Sequence, residues 1–456
     1  MELGSLLAIY MIGFESIAKS KTGNPITVLT NYLWGLLKSE KKKATCTGMA
    51  YDLPDVGSQS LNHLLTDSVL DFQALMDAVA IRTSNFFFNV FCSTMDEVGL
   101  IIDEVGYKKQ GKMSACVGRQ WLGSIGKQDN GQVAVAAILV CRTLYSMVNM
   151  RLFMPEAWAA DEKRREKAGI PKGLKLQTKL EIALEIIKKA ITDGLRFDFV
   201  GFDALYGSSF GLLNELDKLR VKFMADIHSG INIYFKDPEP SVPEAKGRKG
   251  RKPTALKPNA QHTTPKAYCE SLKDSNWTLV TFRDGTKGDM QAWFHRKTVW
   301  IWDKEKDYAQ KYVLVIRKGI DDGDIKYSLT NDHHASLKTN AFRQGQRYFV
   351  EKNFKEGKNQ VGMGDYQIRT WDGFHRHMAI CMLGLNFLME QKDALAPILP
   401  YITSEKLRIM IVHFLPSISR THEEQADWIV SEHDHYESDI KNNRRRAREK
   451  AAAASR

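Results

Sequence analysis

No Cys-x-x-Cys pair and no histidine at zinc-finger spacing occur in this 456-residue chain. Its six cysteines, Cys46, Cys92, Cys116, Cys141, Cys269 and Cys381, are scattered. A structural zinc site and a disulfide framework are therefore excluded, and the cysteines read as buried, reduced thiols of a cytosolic protein. Long apolar runs are missing too. MELGSLLAIYMIGF has Glu2 and Glu15 close by and lacks a basic start, so it fits neither a spanning helix nor a secretory signal. MAICMLGLNFLM is too brief to span, and no membrane partner is expected. Acid is scarcer than base: 54 Asp plus Glu stand against 65 Lys plus Arg, a formal charge of +11. That excess, with a pI near 9.1, favours polyanions, nucleic acid first among them.

What remains is a chain that is 43% hydrophobic and long enough for two to four domains around a sizeable core. Residues 1–95 read as helical, from apolar spacing in ITVLTNYLWGLL and in SLNHLLTDSVLDFQALMDAVA, separated by the basic link KSEKKKATCTG. Such a module is either a DNA-end reader or a helical subdomain that only packs on the core. From Val98 the period changes. VGLIIDEVGYKKQGK, SACVGRQWLGSIG and GQVAVAAILVCRTLY read as three consecutive strands, the first followed by a turn carrying Lys108 and Lys109, the second carrying Arg119. Asp103 lies inside the first apolar run, with Glu104 pointing to the opposite face if the segment is extended.

LQTKLEIALEIIKKAITDGL follows as an amphipathic helix with Leu180, Ala183, Leu184, Ile187 and Ala190 or Ile191 on its apolar face, ended by Gly194. FDFVGFDALYG is a buried strand with Asp203 at its C-terminal end. SFGLLNELDKLR reads as a helix and VKFMADIHS as a strand, the ordering of a mixed sheet with packed helices. After Tyr234 a Pro-, Lys- and Arg-rich excursion reads as loop or disorder, with eight basic residues from Lys236 to Lys266. The alternating runs beyond it form a β insertion with four tryptophans, Trp277, Trp293, Trp300 and Trp302. They suit stacking on bases, yet core packing accounts for at least three of them. A strongly apolar helix around MAICMLGLNFLM should pack on the sheet. His375 and His377, two apart, diverge on it and make no metal pair. The tail from Glu423 is a charged helix that either touches DNA or frays in solvent.

AFRQGQRYFVEKNFKEGK, residues 341–358, reads as one helix that places Arg347, Glu351 and Lys358 on one stripe, while Phe349, Val350 and Phe354 supply packing surface. A carboxylate between two cations suits a divalent metal flanked by phosphate oxygens; a surface helix with i,i+4 ion pairs has the same spacing. Asp103 and Asp203, acids in apolar strands, are costly unless cations compensate them. Hard oxygen ligands select magnesium or manganese, and two such ions about 4 Å apart support phosphodiester cleavage.

At these residues the chain resembles an insertion-sequence DDE transposase of the superfamily named after insertion sequence number four, closest to its branch number seven hundred and one. LIIDEVGYKKQGKMSACVGRQWLGSIGKQDNGQVAV resembles the first block of that group, FVGFDALYG the second and RYFVEKNFKEGKNQVGMGDYQIRTWDGFHRHMA the third. The similarity runs from about Val98 to Met389. The third block of the family carries Tyr, two residues, Arg, three residues, Glu, six residues, Lys; Arg347, Glu351 and Lys358 match it, but Gln344 occupies the Tyr position. Tyr348, four residues on, is the alternative contact.

The resemblance implies an RNase H-like mixed-sheet core interrupted by a β-rich insertion, an α/β fold. Its expected segments are an N-terminal helical, end-binding domain (1–95), a first core part (96–235), the basic loop and insertion (236–335), a second core part (336–400) and a charged helical tail (401–456). It further implies catalytic, metal-binding Asp103, Asp203 and Glu351 with two Mg²⁺ ions, Mn²⁺ substituting. DNA contacts are implied from Arg347 and Lys358, with Gln344 or Tyr348, and expected from Lys108, Lys109 and Arg119. One of Trp293, Trp300 and Trp302 would stabilise a flipped base. The implied partners are transposon ends and target DNA, bound by a dimer assembled on that DNA in the bacterial cytoplasm, at the nucleoid. The implied reaction is end hydrolysis followed by strand transfer. The alternatives are a transposase-derived DNA-binding protein without turnover and an RNase H-like nuclease without strand transfer.

Overall fold

The computed structural model describes residues 3–454 apart from 19–24, 40–43, 54–55, 95, 245–252, 286–287, 305, 321–322 and 415–420. Five helices come first: α1 (Leu3–Ile12), α2 (Pro25–Lys38), α3 (Cys46–Asp52), α4 (Ser58–Thr66) and α5 (Phe72–Phe91). The second apolar stretch of this region, read as helical, forms two helices. Asp71 breaks it by accepting hydrogen bonds from the Gln73 and Ala74 amides, so α5 starts afresh there. The end of the basic link caps and begins α3: Thr45 is its N-cap, accepting from the Gly48 amide.

Four strands follow where three were expected: β1 (Gly99–Lys108), β2 (Gly118–Leu122), β3 (Lys127–Cys141) and β4 (Leu144–Leu152). β1 and β3 pair antiparallel over the whole of β1. The outer edge of β3 takes β2 at one end and β4 at the other. Two short helices, α6 (Glu156–Ala159) and α7 (Glu162–Lys167), lead to α8 (Lys179–Thr192). Thr178 and Glu181 close a capping box at the start of α8, and Gly194, at φ 73°, lets the Leu195 amide reach back to the Ala190 carbonyl. The buried face of α8 is Ile182, Ala183, Ile186, Ile187 and Ala190, rotated from the expected one; Leu180 and Leu184 are half-buried and Ile191 is exposed.

Next come β5 (Phe199–Phe202), α9 (Ala204–Gly207), α10 (Phe210–Lys218), β6 (Phe223–Asp226) and α11 (Pro265–Glu270). Of the basic excursion, residues 245–252, which hold five of its eight basic residues, lie outside the described residues. Its described flanks are pinned by isolated bridges from Ser241 to Lys257 and Ile233 to Thr263. The insertion supplies β7 (Thr278–Arg283), β8 (Met290–Trp302), β9 (Ala309–Gly319) and β10 (Ile325–Thr330). It adds to the same sheet, because β10 pairs antiparallel with β6. The strand order is β2-β3-β1-β5-β6-β10-β9-β8-β7, with β4 beside β3. A large mixed sheet with helices on both faces is consistent with an RNase H-like core.

α12 (Leu337–Gln346), α13 (Tyr348–Gln360), α14 (Trp371–Leu395), α15 (Ser404–Phe414) and α16 (His422–Ala454) complete the chain. Alternation along β1 sends Ile101 and Val105 to one apolar cluster and Leu100 and Ile102 to the other. The first cluster is built around α14, buried from Trp371 to Met389. Polar bonds fix the N-terminal helices to it. Tyr10 donates to the Asn386 side chain at 2.7 Å, Asn386 to the Thr83 hydroxyl at 2.9 Å, and Arg82 forms a two-bond pair with Glu390. Arg376 donates to the Leu65 and Thr66 carbonyls at the end of α4 and to the Leu70 carbonyl in the link to α5. His375 and His377 diverge as expected, His375 toward the Leu152 amide and His377 toward Tyr32. Among the described residues no helix is long and apolar enough to cross a membrane.

Candidate active site

The parallel strands put acids side by side. β1 and β5 pair Leu100 with Val200 and Ile101 with Gly201, a register that carried two residues on sets Asp103 beside Asp203. β5 and β6 pair Phe202 with Ala225, so the next step sets Asp203 beside Asp226. Three carboxylates thus occupy one row across neighbouring strands about 4.8 Å apart. The Asp203 side chain accepts from the Leu205 and Tyr206 amides, which starts α9. That helix lies close over β6: a Cβ on Gly207 would meet the Asp226 carbonyl oxygen at 2.0 Å.

Arg347 crosses this row. Its Nε donates to Asp226 at 3.0 Å and its Nη1 to Asp103 at 3.4 Å. Arg347 stands between α12 and α13, so the expected single helix is interrupted there; the Val350 amide bonds back to the Arg347 carbonyl, an i+3 turn. The expected packing residues Phe349, Val350 and Phe354 are buried. Burial pushes the Asp103 carboxyl up to about 7, Arg347 pulls it down and Asp203 adds to the rise. The guanidinium is held above its ordinary value: burial works against it, and Asp226, Asp103, Asp203 and Glu351 together outweigh that.

Glu351 is exposed one turn beyond Arg347. Both line a cleft of about 590 Å³ with Gln344, Tyr348, Asp226, Arg283, Arg317 and Lys326. A second, more open cleft of about 1250 Å³ is lined by Asp203, Asp226, Lys266, Lys326 and Arg347. Gln344 is buried and donates to the Ser328 hydroxyl at 2.7 Å, whereas Tyr348 is exposed under the Arg283 guanidinium at 3.7 Å. Lys358 leaves the stripe and donates to the Gly106 carbonyl of β1 at 3.0 Å.

The remaining expected contacts lie apart from this cleft. Lys108 pairs with Asp129 at 3.0 Å and Arg119 is exposed on β2, an edge strand. Lys109 is turned inward, donating to the Tyr366 carbonyl at 2.9 Å, and burial lowers it to about 7. In β8, Trp300 and Trp302 alternate onto the face of Phe294 and Trp293 onto the other. Trp302 donates to the Lys306 carbonyl, Trp300 lies 5.3 Å from the Lys311 ammonium, Trp277 meets His295 edge-on, and Trp293 is exposed. Of the six thiols, Cys92 is exposed and Cys46 half-buried; the other four are buried as expected.

Sequence reasoning missed Asp226, Arg283, Arg317 and Lys326. For Asp226 the signal existed, since it closes a buried strand just as Asp203 does. Arg317 and Lys326 become neighbours only through cross-strand pairing of β9 with β10.

The donors suit a hard divalent cation: the desolvated Asp103 carboxylate sits next to a second negative group, an arrangement such an ion relieves. Among the described residues no cluster of three or more potential ligand side chains is drawn together. Arg347 stands where Asp103 would otherwise lack a counter-charge. Residues 22–289 match the family described as DDE superfamily endonuclease, a span that includes Asp103, Asp203 and Asp226 and ends before Glu351. The chain is also 24% identical over 331 residues to the protein named "Probable transposase for insertion sequence element IS701" of Microchaete diplosiphon, covering 72% of this chain and 74% of that protein.

Proposed function

Because the chain belongs to the DDE superfamily endonucleases, we propose that it is a DNA transposase that binds the ends of its element, hydrolyses phosphodiester bonds there and joins the freed ends to target DNA. The observation that carries this is the register that sets Asp103 beside Asp203, with Arg347 bonded to Asp103 from the helix pair that also holds Glu351.

In this reading Asp103, Asp203 and Glu351 would hold two Mg²⁺ ions, Mn²⁺ substituting, which would supply activation of a water and stabilisation of the leaving oxygen. Arg347 contributes charge-assisted hydrogen bonds to the non-bridging phosphate oxygens, whose charge grows as the bond breaks. Glu351, exposed on the same cleft as Arg347 and Asp226, would supply the third carboxylate. Lys358 holds the adjoining backbone, and Tyr348, exposed on the cleft, contacts the same strand, since Gln344 is buried against Ser328. Hydrolysis joins water oxygen to phosphorus and expels the 3′-oxygen, which takes up a proton. The resulting 3′-hydroxyl then attacks a target phosphorus and displaces a second 3′-oxygen.

The helices of residues 1–95 and the basic tail extend the DNA contact, together with Lys108 and Arg119; Lys109, turned inward, does not take part. A tryptophan among Trp293, Trp300 and Trp302 stacks on a flipped base. Two copies assemble on paired ends, since joining both in one complex requires two active sites, in the bacterial cytoplasm.

The test is strand cleavage with Mg²⁺ on duplexes taken from the ends of the element that encodes the chain. Wild type nicks and inserts, and Asp203→Asn does neither. An Asp203→Asn variant that cleaves as fast as wild type overturns the reading. Tight binding without metal-dependent nicking would mark a DNA-binding protein derived from a transposase. Cleaved ends that are never inserted would mark a nuclease.

A further inference from the structure

Asp226 belongs to no part of the chemistry proposed above, yet it makes the shorter of the two bonds to Arg347. Its two oxygens are both engaged. Oδ2 accepts from Arg347 Nε at 3.0 Å, and Oδ1 accepts from the Ser328 hydroxyl at 2.6 Å. Ser328 lies opposite Asp226 on β10 and in turn accepts from Gln344 Nε2 at 2.7 Å. The chain of bonds therefore runs from α12 through β10 and β6 to the guanidinium at the junction of α12 and α13. Gln344 and Ser328 are buried, so this support is shielded from water.

A guanidinium has two usable edges, and here they differ. The Nε edge is held by an acid that is itself braced. The Nη1 atom reaches Asp103 at the limit of hydrogen-bond distance. We infer that Asp226 is a positioning residue that holds Arg347 by its Nε edge, keeping the guanidinium from closing onto Asp103 and leaving its Nη atoms for a phosphate. The inference rests on the metal-dependent reading above, in which Asp103 must be free to take a cation. Without Asp226, Asp103 is the acid still within bonding reach of Arg347, and arginine and cation compete for the same carboxylate.

The experiment is a double-mutant cycle on the full chain, read by Mn²⁺ binding from the loss of the free-ion electron paramagnetic resonance signal, with melting temperature as the check on folding. Asp226→Asn should weaken Mn²⁺ binding about tenfold, a coupling typical of groups in one ion-pair network. In the Arg347→Ala background the same substitution should change nothing further. Asp226→Glu, which restores the charge, should recover most of the loss, and Ser328→Ala should lose about twofold through the weakened brace. An equal loss in both backgrounds overturns the inference, because Asp226 would then act as a bare charge or a ligand. No loss in Asp226→Asn overturns it as well. Should Asp226→Asn fail to fold, Asp226→Glu and Ser328→Ala are carried through the same cycle against Arg347→Ala, and additive effects count against the inference. A wild-type chain that binds no Mn²⁺ brings down the metal-dependent reading and this inference together, whereas binding with an additive cycle removes the inference alone.

Discussion

Asp103 and Glu104 are adjacent acids on β1, and the two faces of the sheet treat them differently. On the α8 side Glu104 forms an ion pair with Lys179 and accepts a hydrogen bond from the Tyr206 hydroxyl at 3.4 Å. One acid meets one base. On the α13 side Asp103 has a 3.4 Å contact with Arg347, which Asp226 holds more closely, and Asp203 stands alongside in register. There two acids, Asp103 and Asp226, share one arginine. Glu104 is matched locally by one base, whereas Asp103 shares its arginine with a second acid, the kind of imbalance that marks a candidate site.

The contrast can be broken at either face. The largest effect is expected from Arg347→Ala, which should slow single-turnover cleavage by about 10²- to 10³-fold, the size associated with losing one donor to a developing charge. Retained cleavage in that variant would make Arg347 a structural residue like Lys179. Next, Lys179→Met should lower stability by roughly 1–3 kcal/mol, since it strands a half-buried Glu104, while cleavage below the melting range stays within about twofold of wild type. Denaturant unfolding checks the first part and a time course the second; a cleavage defect without destabilisation would move Glu104 into the site.

The smallest effect concerns pH. Burial raises Asp103 from 3.8 to about 7 in the folded chain, so the folded state holds a proton that the unfolded state has released. Stability is therefore fully present below about pH 4 and lost as pH rises toward about 7. With no divalent ion added, Asp103→Asn should melt above wild type at pH 8, and the gain should vanish by pH 4. Melting curves across that range sharpen the comparison; a gain that is flat with pH would mean that Asp103 is not strained by burial.

Much of this was readable along the chain because it is periodic. The opposite orientations of Asp103 and Glu104, the place of Asp203 after Phe202, the stop at Gly194 and the burial of α14 all follow from a period of two or of about four residues. β4 was not readable as a strand: Ser146, Asn149 and Arg151 interrupt its apolar run, although α5 and α14 cover it. The break at Arg347 was hidden because its φ of −58° and ψ of −28° are those of a helix, and only the bonding changes. The place of Asp226 at the end of a buried strand was legible as that of Asp203 was, but its part was not. That part depends on its register to β5 and on Ser328, 102 residues away.

From β2 through β7 the strands form one uninterrupted hydrogen-bonded ladder. The spacing between the acid row at one part of that ladder and the arginines and lysine at another is consequently set like marks on a ruler. Any mismatch with a bound duplex must be absorbed by side chains, by loops, or by the bending of the nucleic acid itself.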